Sequence, residues 1–318
     1  MSAPVWIVGV DGGGTRGRAW LAPREHDPDA PPAGSAECEL PCNPYAVGPA
    51  AAADAILSVI ERARVGAGAP ADALSGAYVC VGVAGVERPE ERAPLLEALV
   101  AAGLRADRLT LLGDPWVALE GALPSERLEA GARVLLVAGT GSVAVGLRDD
   151  GRRVRVGGWG SRVGDEGSGA WLGIEAVRAT LRALDGRDPA GPLAAAVQER
   201  WGTGVEALVG RARAATPADF ARLAPLTLDT AGDDPAAAAL QARAVAALAE
   251  LVVTAARGCD QAPAGLAFAG GIATTLEGQI AATLPGALAS QLRRAAGPPV
   301  AGAWRLARLA SDDAAQGA

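Results

Sequence analysis

The amino-acid sequence predicts an α/β protein with two lobes of related design. Two segments half a chain apart share one pattern, in which an apolar run, a tight Gly/Thr/Ser turn and a second apolar run follow one another; they read VWIVGVDGGGTRGRAWLA at residues 5–22 and VLLVAGTGSVAVGLR at residues 134–148. Each pattern is typical of a β-hairpin. In both halves the hairpin precedes a third extended segment and then alternating helical and extended segments, and this internal duplication indicates two lobes. A length of 318 residues suits two domains of ordinary size.

The elements of the first half follow from local patterns. One predicted helix has Ile56 and Ile60 on a single apolar face. The β-branched run GAYVCVGV is typical of a buried strand, and Pro115 suits the first turn of a helix. The predicted order is a hairpin at 5–22, a solvated loop at 23–33, a strand at 37–40, a turn at 43–48, a helix at 49–64, a strand at 76–83, a helix at 90–102, a strand at 109–112 and a helix at 115–122.

The second half repeats the order with more helix. After its hairpin we expect strands at 153–157 and 265–269 and helices at 169–184, 192–200, 205–215, 217–223, 235–257, 277–284 and 288–295. The segment after Trp304 is polar and rich in Ala, which predicts a fraying tail. The expected lobes are residues 1–122 and 123–308, the second with a helical insertion, and residues 309–318 form a flexible tail.

Charge and composition exclude several classes of function. The net charge is −7 without a basic stretch, which argues against nucleic acid and anionic membranes as partners. The absence of lysine excludes a Walker-type GxxxxGK[ST] loop and Schiff-base chemistry. No signal-peptide pattern is present, and the longest apolar stretch, residues 236–256, contains Gln241, Arg243 and Glu250, as a soluble helix does. We therefore expect a cytoplasmic protein.

Its four cysteines are then expected to be reduced. Cys38 and Cys42 are close enough in sequence to resemble a metal-binding pair. A zinc site needs four ligands, however, and only His26 lies nearby in the sequence, so we interpret the pair as free thiols.

The segment DGGGT, residues 11–15, closes the first predicted strand. Its glycines permit positive φ and let backbone amides approach a ligand, and Thr15 adds a hydroxyl group. Asp11, at the strand end, can hold a hydrated Mg²⁺. A plain hairpin turn explains the segment equally well, because Asp-Gly and Gly-Gly favour such turns.

Two further glycine segments lie in the second half. GTGS at 139–142 occupies the equivalent turn, with Ala138 in place of Asp11, and predicts a phosphate cradle made of donors alone. Together the two turns suggest two loops that close on a polyphosphate from both sides, and hence an ATP-dependent phosphotransferase. FAGGI at 268–272 allows close approach of adenine or ribose, although strand–helix packing alone also explains it.

Asp114 follows a predicted strand and precedes a predicted helix. Ligands of α/β domains collect at the carboxyl ends of strands, and a carboxylate there can accept a hydroxyl proton during phosphoryl transfer. The same position suits a helix N-cap, and the residues alone favour the cap.

The segment GGWGSRVGDEGSG, residues 157–169, is the densest in glycine. Linkers rarely carry a tryptophan and paired acids, so Trp159, Asp165 and Glu166 indicate a ligand site. Ser168 is an alternative cap for the helix that begins near residue 169.

These segments, in this order, resemble the N-acetylglucosamine kinase group within the BadF/BadG/BcrA/BcrD ATPase-like family of the sugar kinase/actin/Hsp70 superfamily. The matching motifs are DGGGTR, GTGS and GGWGSRVGDEGSGAWLG. The segment ATPADFARLAPL also resembles sequences of the bacterial amino-sugar kinases of this group. The whole resemblance covers residues 5 to about 308.

The resemblance implies two ribonuclease-H-like (actin-like ATPase) lobes with a central cleft for ATP, Mg²⁺ and a sugar. It replaces the cap interpretation of Asp114 with a catalytic base. The residues implied for ATP are Gly13, Gly14, Thr15, Thr140 and Gly271. Those implied for the sugar are Asn43, Asp114, Ser142, Gly158, Trp159, Gly160 and Asp165. Asp11 would position Mg²⁺ through water. Val143 and the Pro44-Tyr45 pair depart from the relatives, so the sugar's 2-substituent stays undetermined.

The sequence thus predicts transfer of the ATP γ-phosphoryl group to the 6-hydroxyl of N-acetylglucosamine. Kinases of glucosamine, N-acetylmuramic acid or glucose on the same scaffold are alternatives. An iron–sulfur activator ATPase is a more distant one, because the Cys₄ pattern that it needs is missing. A DNA-binding regulator is disfavoured, since the first strand begins near residue 5 and leaves no room for a helix-turn-helix. The expected partners are a small amino sugar and, by family, a second copy of the chain, with no nucleic acid and no membrane.

Overall fold

The order of strands and helices in this computed structural model, which describes residues 4–14 and 16–316, confirms the mixed α/β class. The strands of the described residues are β1 Trp6–Gly12, β2 Gly17–Pro23, β3 Gly34–Cys38, β4 Tyr78–Val83, β5 Leu109–Leu112, β6 Ala132–Ala138, β7 Ser142–Leu147, β8 Arg153–Gly157 and β9 Pro263–Ala269. The α-helices are α1 Pro44–Val47, α2 Pro49–Gly66, α3 Pro89–Ala101, α4 Asp114–Ala122, α5 Gly169–Leu184, α6 Pro192–Trp201, α7 Val205–Ala214, α8 Pro217–Ala221, α9 Ala224–Thr230, α10 Pro235–Cys259, α11 Gly271–Thr275, α12 Glu277–Thr283, α13 Gly286–Ala289 and α14 Pro299–Gln316.

The chain divides into two compact units. Unit 1 comprises the residues up to Leu128 together with those from Ala295 onward, and unit 2 comprises Glu129–Arg294. This division differs from the predicted lobes, 1–122 and 123–308, because the chain returns to unit 1 for its last helix. Residues 309–316, predicted as a flexible tail, are the end of α14. Ala303, Trp304 and Ala307 of this helix are buried, and their packing stabilises the helix. The polar, Ala-rich sequence did not indicate that packing.

The sheets of the two units have the same design. In unit 1 the strand order is β3-β2-β1-β4-β5, in which the first three strands are antiparallel and β4 and β5 run parallel to β1. In unit 2 the order is β8-β7-β6-β9, again with an antiparallel meander and a parallel fourth strand. The predicted duplication is therefore present, and β1 and β6 occupy equivalent central positions.

Two local predictions are wrong. Residues 43–48, predicted as a turn, include the short helix α1, whose N-cap is Asn43. The helix predicted at 288–295 does not form over that range, because α13 ends at Ala289. Instead, Leu292 forms an isolated parallel bridge with Leu266 of β9. Hydrogen bonding to an exposed sheet edge overrides the helical periodicity there.

Helix α10 is the core helix of unit 2. By length and composition it would suit a membrane span. Its apolar face, which includes Leu240, Leu248 and Val252, is buried in the unit 2 core.

Helix α4 is buried along its length and lies very close to its neighbours. Residues 115–122 are all buried. A Cβ placed on Gly82 of β4 would lie 2.1 Å from a methyl carbon of Val117, and one placed on Gly302 of α14 would lie 2.0 Å from the Val117 carbonyl oxygen. Because neither glycine has a side chain, the Val117 side chain packs directly on the β4 backbone, and the backbones of α4 and α14 come into close contact.

An ion-pair network holds α14 in unit 1. Arg305 is only 4% exposed, and its guanidinium pairs with Asp29 and Glu126. It also donates to the carbonyl oxygen of Pro28 at 3.3 Å. The predicted loop at 23–33 is therefore anchored to the end of the chain.

Replacement of Gly302 by Ala should destabilise unit 1. The new Cβ would meet two backbone atoms, the Val117 oxygen at 2.0 Å and the Gly121 nitrogen at 2.3 Å, which can yield only if the helices separate. We expect the free energy of unfolding to fall by about 1–3 kcal/mol in urea denaturation.

The matched control is Gly210→Ala in α7, where no atom lies within 4 Å of the added Cβ. The higher helix propensity of Ala should raise stability there by about 0.5–1 kcal/mol. Equal effects of the two substitutions would contradict the close packing of α4 and α14.

Candidate functional site

The glycine turn of unit 1 closes the β1–β2 hairpin. Asp11 lies opposite Arg18 in the register of the two strands, and the Gly13 N–H donates to the Arg16 carbonyl oxygen at 2.8 Å. Gly14 is exposed. Thr15, predicted to contact ATP, lies outside the described residues. Among the described residues, no atom beyond the two chain neighbours of Gly14 lies within 4 Å of a Cβ placed on it, so there is open space beside this residue.

Asp11 is a partly buried carboxylate at the end of β1. Burial raises the pKa of the Asp11 carboxyl from its ordinary value near 3.8 to about 6, and the positive charge of Arg18 offsets part of that effect. A carboxylate whose charge is disfavoured by burial gains from a nearby cation, and oxygen donors suit Mg²⁺. Asp11 therefore fits the predicted role near a hydrated magnesium ion.

Asp114 is the first residue of α4 rather than its cap. The N-cap is Gly113, which directly follows β5. The side chain of Asp114 is part-exposed, at the carboxyl edge of a sheet whose β4 and β5 are parallel. The positive end of the helix dipole favours a carboxylate at this position.

Asn43 is the N-cap of α1, in the same unit. Its Oδ1 accepts the Tyr45 backbone N–H at 2.9 Å. The same oxygen and the Tyr45 ring lie over the Cα of Gly85, in the loop after β4. This loop was not among the predicted site segments, because the sequence offers only a single glycine there.

A cavity of about 430 Å³ lies within unit 2. It is bordered by the β6–β7 turn, the start of α5, and helices α8, α9 and α11. The lining residues are Gly139, Thr140, Gly169, Ala221, Pro225, Leu228, Asp229, Gly271, Ile272 and Thr275. Thr140 and Gly271, both predicted to bind ATP, therefore border one cavity.

The β6–β7 turn is held by the start of α5. Gly169 N–H donates to the Gly139 carbonyl oxygen at 2.8 Å, and Ala170 N–H donates to that of Thr140 at 3.1 Å. Ser168 is the N-cap of α5, and its hydroxyl accepts the Trp171 N–H at 3.2 Å. The capping alternative for Ser168 is thus confirmed.

Asp165 links the glycine-rich segment to the β6–β7 turn. It is 8% exposed and adopts a left-handed backbone conformation, with φ of 58°. Its Oδ1 accepts the Gly160 N–H at 3.1 Å, and Oδ2 lies over the Cα of Gly141. Burial raises the pKa of the Asp165 carboxyl, while hydrogen bonds from the Gly160 and Ser142 backbone oppose the rise.

The other predicted sugar residues of unit 2 surround Asp165. Ser142 is buried, and its hydroxyl donates to the Glu166 carbonyl oxygen at 2.9 Å. Trp159 is 62% exposed, and the Arg155 guanidinium lies 5.9 Å from its ring centre. Arg155 also donates to the carbonyl oxygen of Gly158 at 2.9 Å. An exposed aromatic ring on a braced glycine loop is typical of a ligand-binding surface. The ligand roles of all these residues stay predictions.

The thiols of Cys38 and Cys42 are buried beside Gly17 of the first hairpin. Burial raises the pKa of the Cys42 thiol to about 12, and Cys38 and Asp11 add to the rise. Within residues 4–14 and 16–316, no group of three or more His, Cys, Asp or Glu side chains has metal-binding geometry.

Comparison with known proteins identifies relatives along most of the chain. It is 28% identical over 221 residues to the glucosamine kinase of Vibrio cholerae, an alignment that covers 69% of each chain. It is 35% identical over 109 residues to an N-acetylmuramic acid/N-acetylglucosamine kinase of Clostridium acetobutylicum, which covers 34% of each. It is 29% identical over 163 residues to the N-acetyl-D-glucosamine kinase of Dictyostelium discoideum, covering 49% of this chain and 50% of that one.

Solved structures extend the similarity to the whole fold. A Chromobacterium violaceum protein, provisionally assigned as an N-acetylglucosamine kinase, matches with a TM-score of 0.78 and 34% identity over 96% of this chain and 99% of its own. A glucokinase of the ROK family from Streptomyces griseus, in complex with glucose and AMPPNP, shares the fold with a TM-score of 0.55 and 16% identity, covering 96% and 99% of the two chains. The family model described as BadF/BadG/BcrA/BcrD ATPase matches residues 8–296. The chain therefore belongs to the BadF/BadG/BcrA/BcrD ATPase family.

Proposed function

We propose that this protein is an ATP-dependent amino-sugar kinase that phosphorylates the 6-hydroxyl of N-acetylglucosamine. The observation that carries the proposal is the position of Asp114, a part-exposed carboxylate at the start of a buried helix, directly after a parallel strand. Three relatives named as amino-sugar kinases support the substrate class. The protein would act in the cytoplasm on a small sugar.

In this mechanism the 6-hydroxyl oxygen attacks the γ-phosphorus as the bond to the β–γ bridging oxygen of ATP breaks. Asp114 accepts the hydroxyl proton, and ADP and the sugar 6-phosphate are the products. Magnesium, when bound, would neutralise charge on the β- and γ-phosphates, and Asp11 would orient it through water. The remaining contribution of the protein is to orient the two substrates and to supply backbone donors at Gly14 and Thr140.

The nucleotide would occupy the cavity of unit 2. A volume of about 430 Å³ is within the usual range for small-molecule sites. Thr140 lies at its rim beside the start of α5, where phosphates are favoured by the helix dipole. Leu228 and Ile272 offer apolar surface for a flat base, and Asp229 offers a hydrogen-bond acceptor.

A glucosamine kinase is the second candidate, because the relative with that name aligns over 69% of both chains. An N-acetylmuramic acid kinase is a third, on the shorter alignment. The iron–sulfur activator ATPase has less support, since the buried Cys38 and the raised pKa of Cys42 disfavour the thiolates that a cluster requires. A homodimer remains a family-based expectation.

The first test is a coupled assay of ADP release with Mg·ATP and single sugars: N-acetylglucosamine, glucosamine, N-acetylmuramic acid, glucose and none. We expect turnover with N-acetylglucosamine and little without sugar. Asp114→Asn should then lower kcat by about 10²–10⁴-fold, because the proton acceptor is lost.

The control is Asp72→Asn, at an exposed position of unit 1, which should leave kcat unchanged. Near-normal turnover by Asp114→Asn would refute the general-base assignment. ADP release that is equal with and without every sugar would refute the kinase itself.

Leu228→Ala should raise KM for ATP about tenfold with little change in kcat, since about 1–2 kcal/mol of apolar contact with the base is lost. Leu226→Ala is the matched control on α9, where Leu226 is also half-buried but does not line the cavity. A rise of the ATP KM in both variants would indicate a general loss of α9 structure instead.

Asp11→Asn should raise the stability of the folded protein at neutral pH while it lowers kcat. The pKa of Asp11 is raised in the folded protein to about 6. As pH rises from 4 to 6, the Asp11 carboxyl therefore loses its proton in the unfolded chain before it does so in the folded protein, and the free energy of unfolding falls across that window. At pH 7.5 the charged carboxylate should cost the folded state roughly 1–3 kcal/mol, which Asn removes.

We therefore expect the Asn variant to melt at a higher temperature than the wild type at pH 7.5 without nucleotide, and at the same temperature near pH 4. Its kcat should fall at least about tenfold, because the magnesium position is lost. Unchanged activity would contradict the proposed role of Asp11, and an unchanged melting temperature at pH 7.5 would contradict its desolvation.

A further inference from the structure

The side chain of Glu87 reaches from the loop after β4 to the start of α4. The loop backbone is held by Arg92 of α3, which donates to the carbonyl oxygens of Val86 and Glu87, both at 3.2 Å. Glu87 Oε2 accepts the indole N–H of Trp116 at 3.2 Å. The carboxylate thus bridges two elements that are distant in sequence but neighbours at the carboxyl edge of the sheet.

Glu87 also lies directly on Gly113. A Cβ placed on Gly113 would be 1.6 Å from Glu87 Oε1 and 2.5 Å from its Cδ. The Gly113 backbone is extended, with φ of −62° and ψ of 145°, a conformation open to any residue. Space for the carboxylate, rather than backbone freedom, therefore explains the glycine at this position.

These contacts lie on either side, in sequence, of the residue to which the proposed function assigns the proton transfer. Gly113 immediately precedes Asp114, and Trp116, which is 7% exposed, follows it by two residues. Val117, at the end of the first turn, packs on Gly82 of β4 and Gly302 of α14. At the start of the first turn, Glu87 accepts the Trp116 indole N–H and lies over Gly113. A negative group there is also favoured by the N-terminus of the helix.

We propose that Glu87 is a positioning residue of the kinase reaction, which holds the first turn of α4 so that Asp114 meets the sugar hydroxyl. The inference rests on the proposed function for its catalytic consequence. Its structural part, the clamp on the first turn of α4, stands on the contacts alone.

The test compares Glu87→Ala, which removes the acceptor, with Glu87→Gln, which keeps an oxygen in nearly the same place. In the ADP-release assay Glu87→Ala should lower kcat at least about tenfold, since small displacements of a catalytic group are costly. The KM for ATP should stay within about twofold. Glu87→Gln should retain kcat within about threefold, and Glu97→Ala, an exposed glutamate of α3, should match the wild type.

Trp116→Phe removes the donor of the same hydrogen bond. It should lower kcat less than Glu87→Ala, and the double variant should be no worse than Glu87→Ala alone, because both remove one interaction. Additive losses, or a Glu87→Gln variant as slow as Glu87→Ala, would overturn the hydrogen-bonded clamp.

Gly113→Ala provides a second, independent comparison. The added methyl group should displace the carboxylate and lower kcat about tenfold in the wild-type background. In the Glu87→Ala background the same substitution should have no further effect, because the three atoms nearest to the new Cβ all belong to Glu87. A similar loss in both backgrounds would contradict the inference.

Hydrogen–deuterium exchange separates this proposal from the proposed function. Backbone amides of residues 113–118, apart from Pro115, should exchange faster in Glu87→Ala than in the wild type and Glu87→Gln, whatever the substrate. If that contrast appears while every sugar fails, the kinase proposal is refuted and the clamp stands. If the wild type is an active kinase and Glu87→Ala matches it in both exchange and kcat, the clamp is refuted and the kinase stands.

Discussion

The close packing of α4 against glycines of its two neighbours is the constraint on which unit 1 depends. Val117 lies against Gly82 on one side and Gly302 on the other, at distances that exclude any side chain. Because α4 begins at Asp114, this packing places the helix that carries the proposed base, and Glu87 supports its first turn. Gly302 is far from Val117 in sequence, so the position of α4 depends on its packing against α14. Arg305 reinforces that return by pairing with Asp29 and Glu126.

Local signals predicted much of the fold, and the errors occur where distant contacts decide. The bounds of β5 and α5 agree with prediction because a turn or a cap marks their ends, as Ser168 does for α5. The end of α14 was missed because its buried face is made of small residues and Trp304, which no apolar periodicity reveals. The helix predicted at 288–295 was wrong because Leu292 pairs with Leu266, a partner that periodicity cannot identify.

The candidate site divides in the same way. Short motifs identified residues such as Thr140 and Gly271, which border one cavity, but not the helices α8 and α9 that complete its wall. The motif ATPADFARLAPL covers α8 and the start of α9, but it carried no site assignment, so the place of these helices in the cavity wall was not predicted. Glu87 was missed for a related reason. A single glutamate in a loop has no motif, and its contacts with Gly113 and Trp116 exist only once β4 and β5 are paired.

The duplicated turns differ in how each supports a carboxylate, and the difference suits different tasks. In unit 1, β1 ends with Asp11, whose charge burial disfavours and Arg18 offsets only in part. In unit 2 the equivalent residue is the buried Ala138, and the carboxylate beside the turn comes from Asp165, which accepts backbone N–H groups. A carboxylate stabilised by amides can brace a loop without a cation. Burial also disfavours the charge of Asp165, but backbone hydrogen bonds oppose that effect, so the proposed magnesium ion is assigned to Asp11 at the β1 turn.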